Sequence, residues 1–141
     1  MRTEKIFASP QDAEAAFYEA MERADIDGMM AVWAEDDDVV CVHPGGPRLI
    51  GYALVRAAWQ HIFSHGGKFS VRVSQQTVVS TPFATISSVL EHIASRENKH
   101  LSAPVAATNV FVRSTLGWRM VAHHASGVPP TSTEETPKTL H

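Results

Sequence analysis

The chain has 141 residues, twelve Lys and Arg against fifteen Asp and Glu for a formal charge of -3, and one cysteine. That length suits one domain that buries roughly two-thirds of its unfolded surface, and the scattered cations form no basic patch for nucleic acid. No window approaches the ~20 apolar residues of a membrane span and no apolar leader opens the chain, while Cys41 has no intramolecular mate, so the expectation is a cytoplasmic protein with a buried thiol.

Taken in chain order, Ser9-Pro10-Gln11-Asp12 predicts a helix start, with Ser9 as cap, Pro10 in the first turn and Asp12 at the positive end. Ala13, Phe17, Ala20, Met21 and Ala24 then recur at helical spacing and should bury one stripe. Asp25-Ile26-Asp27-Gly28 interrupts the pattern, and Asp27 is the expected cap of a shorter helix carrying Met30 and Trp33. Val39 to His43 has strand character and runs into Pro44-Gly45-Gly46-Pro47, which is read as a turn and a connection. Val55, Ala58, Trp59, Ile62 and Phe63 predict a third helix that ends at His65-Gly66-Gly67.

From Lys68 the period changes to two, and four strands are expected at about 69–80, 83–94, 101–114 and 117–126. Short turns between them make an antiparallel meander. Helices followed by a long sheet give an α+β domain over 9–127, preceded by an extension at 1–8. The Pro-, Thr- and Glu-rich segment 128–141 has too little to bury and is expected to be a disordered tail. Val110 and Val112 on the uncovered sheet face suggest a homodimer.

The succession Phe17 to Met21, Ala24-Asp25-Ile26-Asp27-Gly28, Val32-Trp33-Ala34-Glu35-Asp36-Asp37, His43-Pro44, Leu49-Ile50-Gly51, Thr108-Asn109-Val110-Phe111 and Gly117-Trp118-Arg119-Met120-Val121 resembles SnoaL-like proteins. These belong to the superfamily of nuclear transport factor 2 and ketosteroid isomerase, and the resemblance covers roughly 9–127. It implies a cone-shaped, strongly curved mixed or antiparallel sheet with three helices enclosing a pocket. It leaves the activity open, because one scaffold carries isomerases, cyclases, dehydratases and binding proteins.

The resemblance puts His43 at the position of the isomerases' general base, an Asp. It puts Asn109 and Phe17 at the two oxyanion donors, a protonated Asp and a Tyr. Phe17 has no donor, so steroid isomerisation by that route is not expected. Trp33 and Trp59 are expected in the pocket wall, along with Phe111. If Ala122 lines the pocket, period two brings Met120, His124 and Ser126 to the same face and turns His123 away.

Other accounts of these residues stay open at this stage. His43 could be a turn-entry histidine bonded to a carbonyl near Gly45 or Gly46. His124 could be a core histidine bonded to Asn109 or Ser126, and Asn109 part of a structural network. His61 and His65 share a helix face at metal-binding spacing but lack a third ligand, so a solvated helix end is the better account. Neither metal nor cofactor is expected. The resulting expectation is a cofactor-independent protein for a small apolar or carbonyl-containing molecule. In its enzymatic form His43 is the base, Asn109 the donor to an enolate oxygen and His124 the second proton carrier; the alternative is a non-catalytic ligand-binding or dimerisation module.

Overall fold

The fold is taken from a computed structural model that describes residues 5–66, 69–95 and 104–129. Helix α1 (Pro10–Arg23) starts where Ser9 Oγ accepts from Asp12 N, and ends at Ala24 in the left-handed conformation. Helix α2 (Ile26–Val32) is capped by Asp25 and not by Asp27: the Asp25 carboxylate accepts from Gly28 N at 3.0 Å. Strands β1 (Val40–Val42) and β2 (Arg48–Ile50) flank the Pro-Gly-Gly-Pro bend. Helix α3 (Tyr52–His65) follows, then β3 (Phe69–Ser80), β4 (Ala84–Ser95), β5 (Val105–Ser114) and β6 (Gly117–Gly127).

The segment expected as a plain connection therefore contains β2. Gly45 has a positive φ of 74°, which lets the chain fold back so that β2 pairs antiparallel with β1. The six strands form one sheet in the order β2-β1-β6-β5-β4-β3. Every pairing is antiparallel except β1 with β6, so the expected meander is closed by one parallel strand at the mouth.

The helices cover one face of the sheet. Phe17 and Met21 of α1, Met29 and Met30 of α2 and Trp59 of α3 pack with Phe111 and Met120 of the sheet in a single apolar core. Phe7, ahead of the expected domain start, joins this core, and its carbonyl accepts from Trp118 N. The expected tail falls outside the described residues from 130 onward.

Two irregularities interrupt the sheet. The β3–β4 register shifts between Ser74 and Thr77, where Gln75 has φ 54°. The β5–β6 register shifts where Val110 pairs with Ala122 but Phe111 pairs with Met120, leaving Val121 as the extra residue of a bulge. That single residue resets the phase of β6. Met120, His123 and Ala125 face the helices and are buried, whereas His124 and Ser126 are exposed on the outer face.

The cap of α2 fixes the turn that joins it to α1. Asp25→Ala is expected to cost about 1 kcal/mol, seen as a lower urea midpoint with an unchanged slope.

Candidate functional site

Between the helices and the inner sheet face lies a cavity of about 210 Å³. Its walls are mostly apolar, with Met21, Trp59, Ile62 and Phe69 among them, and three ionisable side chains reach it: His43, Glu91 and His123. Each arrives by strand alternation. Cys41 pairs with His123 across the parallel β1–β6 ladder, so Cys41 points inward, and His43 two residues later returns to that face. Glu91 follows the buried Thr85, Ser87 and Val89 along β4.

His43 stands at the end of β1 with its ring edge-on to Trp59, centroids 4.6 Å apart. Its Nε2 lies 3.5 Å from Cys41 Sγ. The turn-entry account held that the ring bonds a carbonyl of the bend; instead the backbone oxygen of His43 accepts from Gly46 N, and the ring turns inward to the thiol.

Behind the cavity runs a buried polar chain whose direction can be derived. Glu14 Oε2 accepts from Asn109 Nδ2 at 2.8 Å, and the same Nδ2 donates to Tyr18 Oη at 2.9 Å. Both amide hydrogens of Asn109 are thereby used. Its Oδ1 faces His123 Nδ1 at 2.6 Å; an oxygen has no hydrogen to give, so Nδ1 carries the proton. In the neutral ring the lone pair is then on Nε2. The Tyr18 hydroxyl, already accepting from Asn109, donates its own hydrogen to Glu91 Oε2 at 2.6 Å. Ser87 and Gln76 both donate to Glu14 Oε1.

Burial sets the charge state of these groups. Desolvation, helped by the proximity of His43 and His124, pulls His123 down to about 3, so the ring is neutral at pH 7. Desolvation lowers His43 as well. Glu91 is pushed up to about 6 by burial; the Tyr18 hydrogen bond opposes this and Glu14 adds to it. Burial, then the charge and hydrogen bond of Glu91, raise the Tyr18 phenol. Burial pushes the Cys41 thiol up to about 12, which rules out a reactive thiolate near neutrality.

Several expected site residues sit elsewhere. His124 and Ser126 are on the solvent side of the bulged strand, and His123 has the inward place assigned to His124. Asn109 is fully buried with its amide consumed, so it has no hydrogen for a ligand oxygen. Phe17 packs behind the wall against Trp59, Tyr18 and His123, and the phenol next to it in sequence, Tyr18, spends its hydrogen on Glu91. Phe111 and Met120 are core. Trp33 lines a separate cavity of about 270 Å³ with Val112, Leu116 and Arg119. The indole nitrogens of Trp33 and Trp59 are buried without a hydrogen-bond partner among the described residues. His61 and His65 stack at 4.2 Å, and His65 Nδ1 donates to the His61 carbonyl.

The profile of the SnoaL-like domain family matches residues 11–131. The chain belongs to the SnoaL-like family. A solved Thiobacillus denitrificans protein, provisionally described as a calcium/calmodulin-dependent protein kinase type II association domain, is 40% identical, with a TM-score of 0.84 over 89% of this chain and 99% of that one. One from Streptomyces avermitilis, provisionally described as a dehydratase of the NTF2-like family, is 34% identical, with a TM-score of 0.75 over 84% and 92% of the two chains. A curated relative, the Arabidopsis thaliana F-box protein SKIP8, is 28% identical over 72% of this chain. The chain spans 42% of that relative's length. The SnoaL-like cone thus accounts for the curved six-stranded sheet and for a pocket of small-molecule size. Among the described residues no helix is long and apolar enough to cross a membrane.

Two measurements check this electrostatic picture. The folded pKa of His123 is depressed, so its contribution to stability is complete above the unfolded value near 6.5 and is lost as pH falls toward about 3. Glu91, raised from 4.5 to about 6, works in the opposite sense: its contribution is complete below 4.5 and lost as pH rises through 6. Denaturation at stepped pH should show His123→Gln removing a slope of at most about 1.4 kcal/mol per pH unit on the acid side. Cys41 should be unreactive toward a thiol reagent in the native protein and modified at the rate of unfolding.

Proposed function

We propose that this SnoaL-like protein performs acid–base chemistry, without a cofactor, on a small, largely apolar, carbonyl-containing molecule. One observation carries the reading: three ionisable groups converge on a cavity whose remaining walls are apolar. A satisfied core would bury hydrocarbon there. The volume suits a ligand of about one or two rings, given that ~150 Å³ already holds benzene. In this reading His43 removes a proton α to the carbonyl. The competent tautomer has Nε2–H donating to the Cys41 sulfur, which leaves Nδ1 as the lone pair. Asn109 acts through His123, as a positioning residue, in place of the direct donor role first expected of it.

The reading is tested by following deuterium uptake from solvent at the α-carbon of small aryl ketones. His43→Ala should slow uptake by about a hundredfold or more. Equal rates in parent and variant would remove His43 from the base role.

A second reading has its own observation. The Thiobacillus denitrificans relative carries an association-domain description, and the outer sheet face here exposes Val79 (61%) and Ile86 (46%) in one cross-strand row with Val110 and Ala122. On this reading the face pairs with a second copy, as Val110 and Val112 suggest from sequence. Sedimentation should show a dimer that Ile86→Glu shifts to monomer with the cavity chemistry unchanged.

A further inference from the structure

We propose that Glu91 is the proton donor of this pocket and that the substrate is a β-hydroxy carbonyl compound, converted to an α,β-unsaturated carbonyl and water. The proposal rests on the acid–base reading above and adds to it a second catalytic residue and a substrate class.

The argument is a proton map of the cavity wall. Tyr18 donates to Oε2 of Glu91, and Oε1 has no protein partner among the described residues. No cation pairs with Glu91 among them either. The groups around it are the Tyr18 phenol, the Glu14 carboxylate beyond that phenol, and the neutral His123 and His43 rings. Burial and a second carboxylate nearby, with no cation, shift Glu91 toward its protonated form; the raised value of about 6 keeps the proton on it below pH 6 and mostly off it at pH 7. His123, fixed by Asn109 with its proton on Nδ1, offers a lone pair at Nε2.

Apart from the His43 base, the wall therefore presents one acceptor, the neutral His123 ring, and, below about pH 6, one donor, the Glu91 carboxyl. A carbonyl oxygen accepts only and leaves the acceptor unmatched. A hydroxyl both donates and accepts, and it satisfies the pair. His43 enters from β1, separated from the Glu91 strand by β6 and β5, so base and acid are separate groups that approach the ligand from different parts of the wall, one for the α-proton and one for the leaving hydroxyl.

In the reaction His43 takes the α-proton and the C–H electrons form the C=C bond. The bond from the β-carbon to oxygen breaks, and the departing hydroxyl takes the Glu91 proton to become water. The step is redox-neutral. It leaves imidazolium and carboxylate, which the released water reconnects by proton transfer.

The test uses the aldol of acetone and benzaldehyde, whose enone product is read by absorbance, with deuterium uptake at the α-carbon of the same compound measured in parallel. The parent should catalyse both. Glu91→Gln, which keeps an acceptor for Tyr18, should lose dehydration by about a hundredfold or more while retaining uptake. Tyr18→Phe removes a hydrogen bond that favours the ionised carboxylate, so the alkaline limb of dehydration should move to higher pH. Dehydration by Glu91→Gln at the parental rate, equal loss of both reactions in that variant, or an unmoved limb in Tyr18→Phe would each overturn the assignment. Uptake without dehydration in the parent overturns the Glu91 proposal alone; neither reaction in the parent overturns the acid–base reading along with it.

Discussion

A single buried amide, that of Asn109, organises the interior. It lies on a central strand with none of its surface in contact with solvent, where an unsatisfied polar group costs on the order of 1–3 kcal/mol. Its partners come from two other elements: Glu14 and Tyr18 from α1, and His123 from β6. The bonds tie the first helix to the middle of the sheet, and because an amide has a distinct oxygen and nitrogen they also impose a direction on every hydrogen bond beyond it. Exchange of the two ends would place a donor against the His123 proton and an oxygen against the Glu14 carboxylate. The tautomer of one cavity residue and the hydrogen bond to another thus follow from the orientation of a side chain that does not itself touch the cavity.

The same connection explains how a small domain keeps two carboxyl groups inside. Glu14 is surrounded by donors from Asn109, Gln76 and Ser87, whereas Glu91 receives one, from Tyr18, and borders an apolar space. Unequal surroundings give the two carboxyl groups different places: Glu14 closes a hydrogen-bond network, and Glu91 borders the cavity, where burial pushes it up to about 6. The asymmetry begins in the helix, since Glu14 and Tyr18 lie four apart and one turn presents both to the sheet.

Much of the fold was legible from residues alone. The α1 stripe, the end of α3 at His65 and the change to period two after Lys68 each have a local cause, and the four long strands follow from it. The site was less legible, for reasons specific to a few residues. Period two extends along β6 only until a bulge intervenes; Val121 has no local signature of one, so His123 and His124 exchange faces. Along β4, Val89 and Leu90 are both apolar, and the inward phase that would have singled out Glu91 cannot be read from them. Tyr18 and Glu14 border the predicted stripe of α1, where a surface position is the usual outcome. A carboxylate and a phenol at helical spacing beside that stripe are the available signal, but their partners, Asn109 and Glu91, lie 91 and 73 residues further along the chain. His43 was the exception. A strand broken by Pro-Gly-Gly-Pro announces its own end, and the last inward residue before the break is the one at the cavity.

That break also divides the cavity mechanically. Glu91 and His123 sit on strands of 12 and 11 residues; β4 is paired on both sides through most of its length, and β6 along β5 and, at His123, also with β1. His43 follows a strand of three residues and leads into an exposed bend with a glycine at positive φ. Opening free energy scales with such cross-links, so the two walls differ in how often they part from the protein. The polar chain is thus held by long ladders, while His43 is held by a short one, and a change of conformation at the β1–β2 bend leaves intact the bonds that set the protons on the opposite side.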